Sequence, residues 1–168
     1  MKRFGISLLA IVLGSVFSIS IVSAEMAKEG NGVYRSAKSS KNEVLSMGKD
    51  YMYTTMNQLG MVVDAPQNSP FENATFRGLV TMYTVKDKYE GSGFVEWVCP
   101  NGDKFYGKSN FTAAPGKGFH TVVDIFGGTG ACEGIQGMVE VESGPQVKSA
   151  QEGIRQLFSV GKVSWKIP

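Results

Sequence analysis

Metal-ligating and imidazole side chains are scarce in this chain of 168 residues, which has two cysteines, Cys99 and Cys132, and one histidine, His120. Three residues with no ligand spacing do not assemble a recognisable zinc or other transition-metal set, so no metal or other cofactor is expected. Signatures of common enzyme classes are missing too. There is no phosphate loop, dinucleotide fingerprint, nucleophile elbow or zinc-protease helix. The string Gly127-Gly128-Thr129-Gly130 lacks the downstream Lys-Ser/Thr that phosphate binding needs. Nor is there an excess of one charge. The formal net charge is +2, from 17 basic and 15 acidic residues, and two of the basic residues, Lys2 and Arg3, lie at the extreme N-terminus. A nucleic-acid partner would need a basic footprint, and an anionic membrane surface a polybasic run; the chain offers neither. A transmembrane barrel is disfavoured by the lack of outward aromatic girdles and of a terminal aromatic residue.

The N-terminus supplies the one long apolar run. Lys2 and Arg3 precede an apolar stretch from residue 4 to 22, and Val22-Ser23-Ala24 places small residues where a signal peptidase cuts. Residues 1–24 therefore read as a signal peptide. The rest, from Glu25, reads as a periplasmic or secreted domain close to neutral, with no membrane span after cleavage. Two cysteines in an oxidising compartment favour a single disulfide, Cys99–Cys132. It would close a loop of about 34 residues and contribute roughly 3–4 kcal/mol in the chain-entropy picture.

Along that exported part, residues 25–43 are polar and rich in Lys, Ser and Asn, and read as a flexible lead-in with a short strand at 33–37. The remaining residues, 44–168, read as one domain. Strands are expected at 44–59, 75–85, 93–99, 103–112, 119–126, 135–142 and 161–167, from β-branched and aromatic enrichment and alternation. Pro100-Asn101-Gly102-Asp103 carries the Asn-Gly pair of a tight hairpin turn. Between 143 and 159 the period shifts. Val147, Ala150, Ile154, Leu157 and Phe158 share a helical face, and Ser149 and Glu152 have capping-box spacing, so a short helix is expected before the last strand.

Seven or eight short strands joined by tight turns predict an all-β fold, a closed eight-stranded antiparallel barrel. Glycine supports closure: five of the eleven residues from 127 to 137 are glycine (Gly127, Gly128, Gly130, Gly134, Gly137), as a sharply turning chain requires. Up-and-down pairing of 93–99, 103–112 and 119–126 would carry Cys99 and Cys132 to the same rim, where a disulfide becomes sterically feasible.

The string from Phe126 through Gly137 (Phe-Gly-Gly-Thr-Gly-Ala-Cys-Glu-Gly-Ile-Gln-Gly) resembles the glycine signature of the allene oxide cyclase and dirigent barrels and of related bacterial domains. The strand order from 75 to 126 is similar as well. The resemblance implies an eight-stranded calycin-like barrel. In that family some members isomerise an unstable fatty-acid epoxide and others steer phenol radical coupling. The chain departs from the pattern at Cys132, where the family places an aromatic residue, a change that suits a disulfide-stapled variant. No catalytic residue transfers by position, because the matching motif is structural.

Candidate catalytic groups are therefore read from residue type alone. His120 could move a proton near neutrality, or could face solvent. Glu96 shares a strand face with Phe94 and Val98 and would be a perturbed buried acid if that face were interior. The opposite phasing places Trp97, the heavier apolar side chain, inside, and is preferred. Tyr53 offers a phenol. Candidate ligand contacts are Tyr51, Met56, Met82, Trp97 and Phe126, although core packing explains methionines and strand aromatics equally well. Three readings follow: a protein that binds a small apolar or aromatic ligand inside the barrel; a cofactor-free isomerase or cyclase; and a structural or interaction barrel with a filled interior. A homo-oligomer is left open.

Overall fold

A computed structural model describes residues 25–86, 88–113, 118–144 and 147–168. The expected signal segment, 1–24, lies outside the described residues. The strands are β1 (Glu29–Ser46), β2 (Tyr51–Asp64), β3 (Thr75–Val85), β4 (Lys88–Val98), β5 (Lys104–Ala113), β6 (Phe119–Gly128), β7 (Gln136–Ser143), β8 (Val147–Lys148) and β9 (Ile154–Lys166). From β1 to β7 each strand pairs antiparallel with the next, and β7 pairs with β9. β9 then pairs with β1, from Glu29↔Lys166 to Lys41↔Ile154, and closes the ring. The two-residue β8 pairs with β9 just beyond β7 and prolongs that stave. The protein is thus a closed, all-β, eight-stranded antiparallel barrel, and closure leaves no long unpaired edge.

Alternation sets the inside. The inward rows are Tyr34–Ser36–Lys38–Ser40–Asn42 on β1, Thr54–Met56–Gln58–Gly60–Val62 on β2 and Phe76–Gly78–Val80–Met82–Thr84 on β3. Trp97, Phe105, Phe111, Val123, Ile125, Val139, Val141, Leu157, Val163 and Trp165 complete the inward set from the other strands. Glycines make room for the larger rings. A Cβ on Gly91 would sit 2.1 Å from Cζ of Phe111, so the inward Phe111 ring occupies the space that any other β4 residue would fill.

The two ends differ. At one pole the loop between β2 and β3 folds inward and seats Phe71, with no exposed surface, among Tyr34, Trp97, Phe105 and Trp165 at centroid distances of 4.9–6.1 Å. Trp97 and Phe105 stack in parallel at 5.0 Å. Trp97 Nε1 donates to the Tyr34 hydroxyl (3.4 Å), and Trp165 Nε1 to the Ala27 carbonyl (2.9 Å), so both indole N–H groups are satisfied. This pole is a solid aromatic core. At the other pole a smaller cluster of Met56, Val80, Met82 and Phe111, flanked by Tyr89 and Phe119, lines the wall without filling the bore.

Several expectations are corrected. The stretch 25–43 is not a flexible lead-in: from Glu29 onward it belongs to β1, paired with β9 from Glu29 to Lys41 and with β2 from Arg35 onward. Its inward residues are Ser, Lys and Asn in place of Val or Ile, which hides the strand period. The single strand expected at 44–59 is the end of β1, a turn, and β2. Among the described residues of 143–159 there is no α-helix. Val147–Lys148 and the start of β9 are extended, because the Leu157–Ser159 row is needed to complete the ring. The one helical turn among the described residues, a 3-10 turn at Gly130–Cys132, does precede the last strand but sits within the glycine cluster. In the β4–β5 turn only Gly102 has positive φ (89°), and Gly102 N–H donates to the Cys99 carbonyl. That is a three-residue loop ending on a left-handed glycine, and not the two-residue turn expected.

The glycine cluster acts as a lid on the packed pole. Gly130 takes φ 55°, and a Cβ there would meet the Asp103 carboxylate at 2.0 Å. Asp103 accepts the Ala131 N–H (2.9 Å), and Thr129 Oγ1 accepts the Lys104 N–H (3.0 Å). The loop is thereby tied to the β4–β5 turn, and Cys132 is held beneath it.

Candidate ligand site in the barrel lumen

The bore of the open pole is lined by Lys38, Ser40 and Asn42 from β1, Met56 and Gln58 from β2, Val80 and Met82 from β3, Ser109 and Phe111 from β5, Phe119 and Thr121 from β6, and Arg155 and Leu157 from β9. The cavity itself is small, about 50 Å³, and the wider free space around it, about 540 Å³, runs out into open solvent at the mouth. It is narrow, and its apolar wall is mostly methionine and phenylalanine, side chains that can shift to admit a guest.

Lys38 lies at mid-height on β1, opposite Gly60 on β2 and Leu157 on β9. The Phe76 ring lies over Gly60, where a Cβ would be 2.3 Å from its Cζ, and forms the floor beside the lysine. Above Lys38, the Ser40 hydroxyl donates to Asn42 Oδ1. Among the described residues no carboxylate pairs with Lys38. Burial alone lowers its amine to about 8. The acidic residues of the wall, Glu43, Glu90, Glu96, Asp124, Glu140 and Glu142, point outward. The lining set holds two cations, Lys38 and Arg155, and no anion. Farther toward the mouth, the buried Thr84 hydroxyl on the inward row of β3 has no hydrogen-bond partner.

The structure separates the residues singled out from sequence. Met56 and Met82 line the lumen. Trp97 faces inward but belongs to the solid pole, at 2% exposure. Glu96 is outside and paired with Lys104 (3.2 Å). His120 is outside, between Glu142 (2.7 Å) and Glu140 (3.8 Å) across the β6–β7 ladder. Tyr53 is outside, tilted against Tyr83 with centroids 5.1 Å apart. Tyr51 and Phe126 are exposed; Phe126 is the extra residue of a bulge between β5 and β6 and meets Phe94 edge-on. Glu96, His120 and Tyr53 thus do not converge on the lumen.

At the opposite pole, Cys99 and Cys132 are neighbours, both buried and both free thiols, with sulfurs 3.7 Å apart. They share the rim that up-and-down pairing assigns them, without a covalent bond. The Cys99 thiol also lies 3.3 Å from the Pro70 carbonyl. The hydrogen bond between them divides the pair, pushing the Cys132 thiol below its ordinary value and the Cys99 thiol well above it.

Sequence reasoning misses Lys38, Gln58 and Arg155. The only signal is the i, i+2 row Tyr34–Ser36–Lys38–Ser40–Asn42, in which one aromatic precedes four polar residues. No family model matches the chain, and no curated protein or solved structure is significantly similar to it.

Proposed function

We propose that this is an exported carrier or sensor barrel that binds one small, largely apolar ligand in its open-pole lumen. The observation that carries this reading is the asymmetry of the interior. One half is filled solid by Phe71, Trp97, Phe105 and Trp165, while the other half keeps a narrow cavity, open at its mouth, beside a wall of Met56, Val80, Met82, Phe111, Phe119 and Leu157. A barrel with a purely structural interior would fill both halves, as small barrels do when they hold no guest. Beside that apolar wall the lining also carries polar groups, among them Lys38, Gln58 and Ser109, and such groups fix a ligand's orientation.

Export rests on the N-terminal signal pattern, and in an oxidising compartment Cys99 and Cys132 would be joined. The likeness to allene oxide cyclase and dirigent barrels agrees with a lumen site. Isomerase chemistry is the weaker reading, since Glu96, His120 and Tyr53 all lie on the outer face.

Native mass spectrometry of protein isolated from its own host tests the proposal. A retained small molecule is expected, and its release should perturb amide signals of Met56, Met82 and Phe111. An unliganded mass under gentle conditions, together with no lumen shifts on titration with naphthalene or octanol, would overturn it.

A further inference from the structure

We propose that the lumen ligand carries an anionic head, with Lys38 as its counter-ion at the cavity floor and its apolar tail directed to the mouth. This rests on the lumen being a ligand site and names the chemistry that site selects.

The first support is charge placement. The chain is nearly balanced overall, yet its cavity is lined by two cations and no acid. Lys38 is half-buried by its own exposed surface, and a cation drawn partly out of water without a partner is costly, so folded proteins ordinarily pair it. Here the partner is missing among the described residues, while the neighbouring acids face solvent. An anionic head reaching Lys38 would supply the missing charge and be held by a charge-assisted hydrogen bond.

Position is the second support. Lys38 sits above the Phe76 ring at the bottom of the hollow half, with Ser40, Asn42, Gln58, Ser109 and Thr121 as neutral hydrogen-bonding groups around the bore. Met56, Val80, Met82, Phe111 and Phe119 form the apolar lining. A head at the floor and a tail along this wall satisfy both chemistries at once. Arg155, exposed on β9 beside Ser40, stands where an approaching anion would be attracted. The narrow bore favours a slender chain over a fused ring system. A carboxylate and a sulfate head share this chemistry, and the experiment distinguishes them.

The test is calorimetric titration of the chain from Glu25 onward with octanoate, octyl sulfate and octanol, repeated on K38Q, K38M and K38R, with near-ultraviolet circular dichroism as the check of folding. At least about tenfold tighter binding of an anionic probe than of octanol is expected, a gap lost in K38Q and K38M and kept in K38R. Preference for octanoate over octyl sulfate, or the reverse, identifies the head. Equal binding of octanoate and octanol, unchanged in K38Q, overturns the anionic head and leaves the lumen reading standing. Binding of octanol with no binding of either anion does the same. Binding of no probe overturns both.

Discussion

The sulfurs of Cys99 and Cys132 face each other at 3.7 Å beneath the glycine lid, with no exposed surface on Cys132. Closing that gap to a bond of about 2 Å needs a small side-chain adjustment and no change of fold. Oxidation is therefore expected to join them. Protein kept under oxidising conditions should take up no alkylating label on denaturation without reductant, and two labels after reduction. The bond should add roughly 3–4 kcal/mol and raise Tm accordingly. Two labels before reduction would show that the pair stays reduced.

Replacing Lys38 by methionine should stabilise the protein while impairing anion binding. Burial lowers the amine from 10.5 to about 8. The unfolded chain therefore holds the proton where the folded chain has released it, and folding is penalised progressively as pH falls from 10.5 toward 8, then by a constant amount below. At about 1.4 kcal/mol per pH unit the penalty is at most about 3–4 kcal/mol, less to the extent that water enters the mouth. The gain in Tm for K38M should be largest and constant below about pH 8 and shrink as pH rises above it. Thermal melts at a series of pH values would show it, and a loss of stability at pH 7 would count against an uncompensated amine.

Affinity for octanoate should weaken as pH rises through about 8, because Lys38 then loses its charge. Arg155 at the rim and Tyr89 in the apolar cluster are the other titratable groups of this half of the lumen. K38R should flatten the profile. An unchanged profile in K38Q would assign the pH dependence to another group.

Truncating Phe71 to alanine should cost about 3–5 kcal/mol, since the ring is fully buried against four aromatic partners and the rigid strands around it cannot collapse into the space. Urea denaturation measures this directly. A loss below about 1 kcal/mol would mean that the β2–β3 loop is not a plug.

H120A and E96Q should leave lumen binding unchanged, because both side chains engage partners on the outer surface, Glu142 and Lys104. A large fall in affinity for either variant would locate the ligand outside the bore.

The barrel was readable where hydrophobicity and glycine speak directly. Alternation around Trp97 put the indole inside and Glu96 outside, and pairing of successive strands brought Cys99 and Cys132 to one rim. The candidate site was much less readable, for a physical reason. A strand that lines a ligand cavity carries polar residues on its inner face, so β1 loses the apolar alternation by which strands are recognised and looks like a solvated leader. Residues 147–158 misled in the opposite sense. Val147, Ile154 and Phe158 keep a helix-like spacing because they are outward-facing apolar residues on β8 and β9, with Val147 and Phe158 exposed on the barrel wall and Ile154 half-buried. Only tertiary ring closure, through the pairing of β1 with β9, overrides that local pattern.

That first-to-last seam has a consequence for biogenesis. Lys38 faces Leu157 across it, so a nascent chain lacking β9 has the lysine on a strand bordered on one side only. The chamber cannot exist in any shortened product, and no ligand can assist the earlier steps. Such distant partners make for slow assembly, and until the final stave arrives β1 offers an open edge that a chaperone would have to guard.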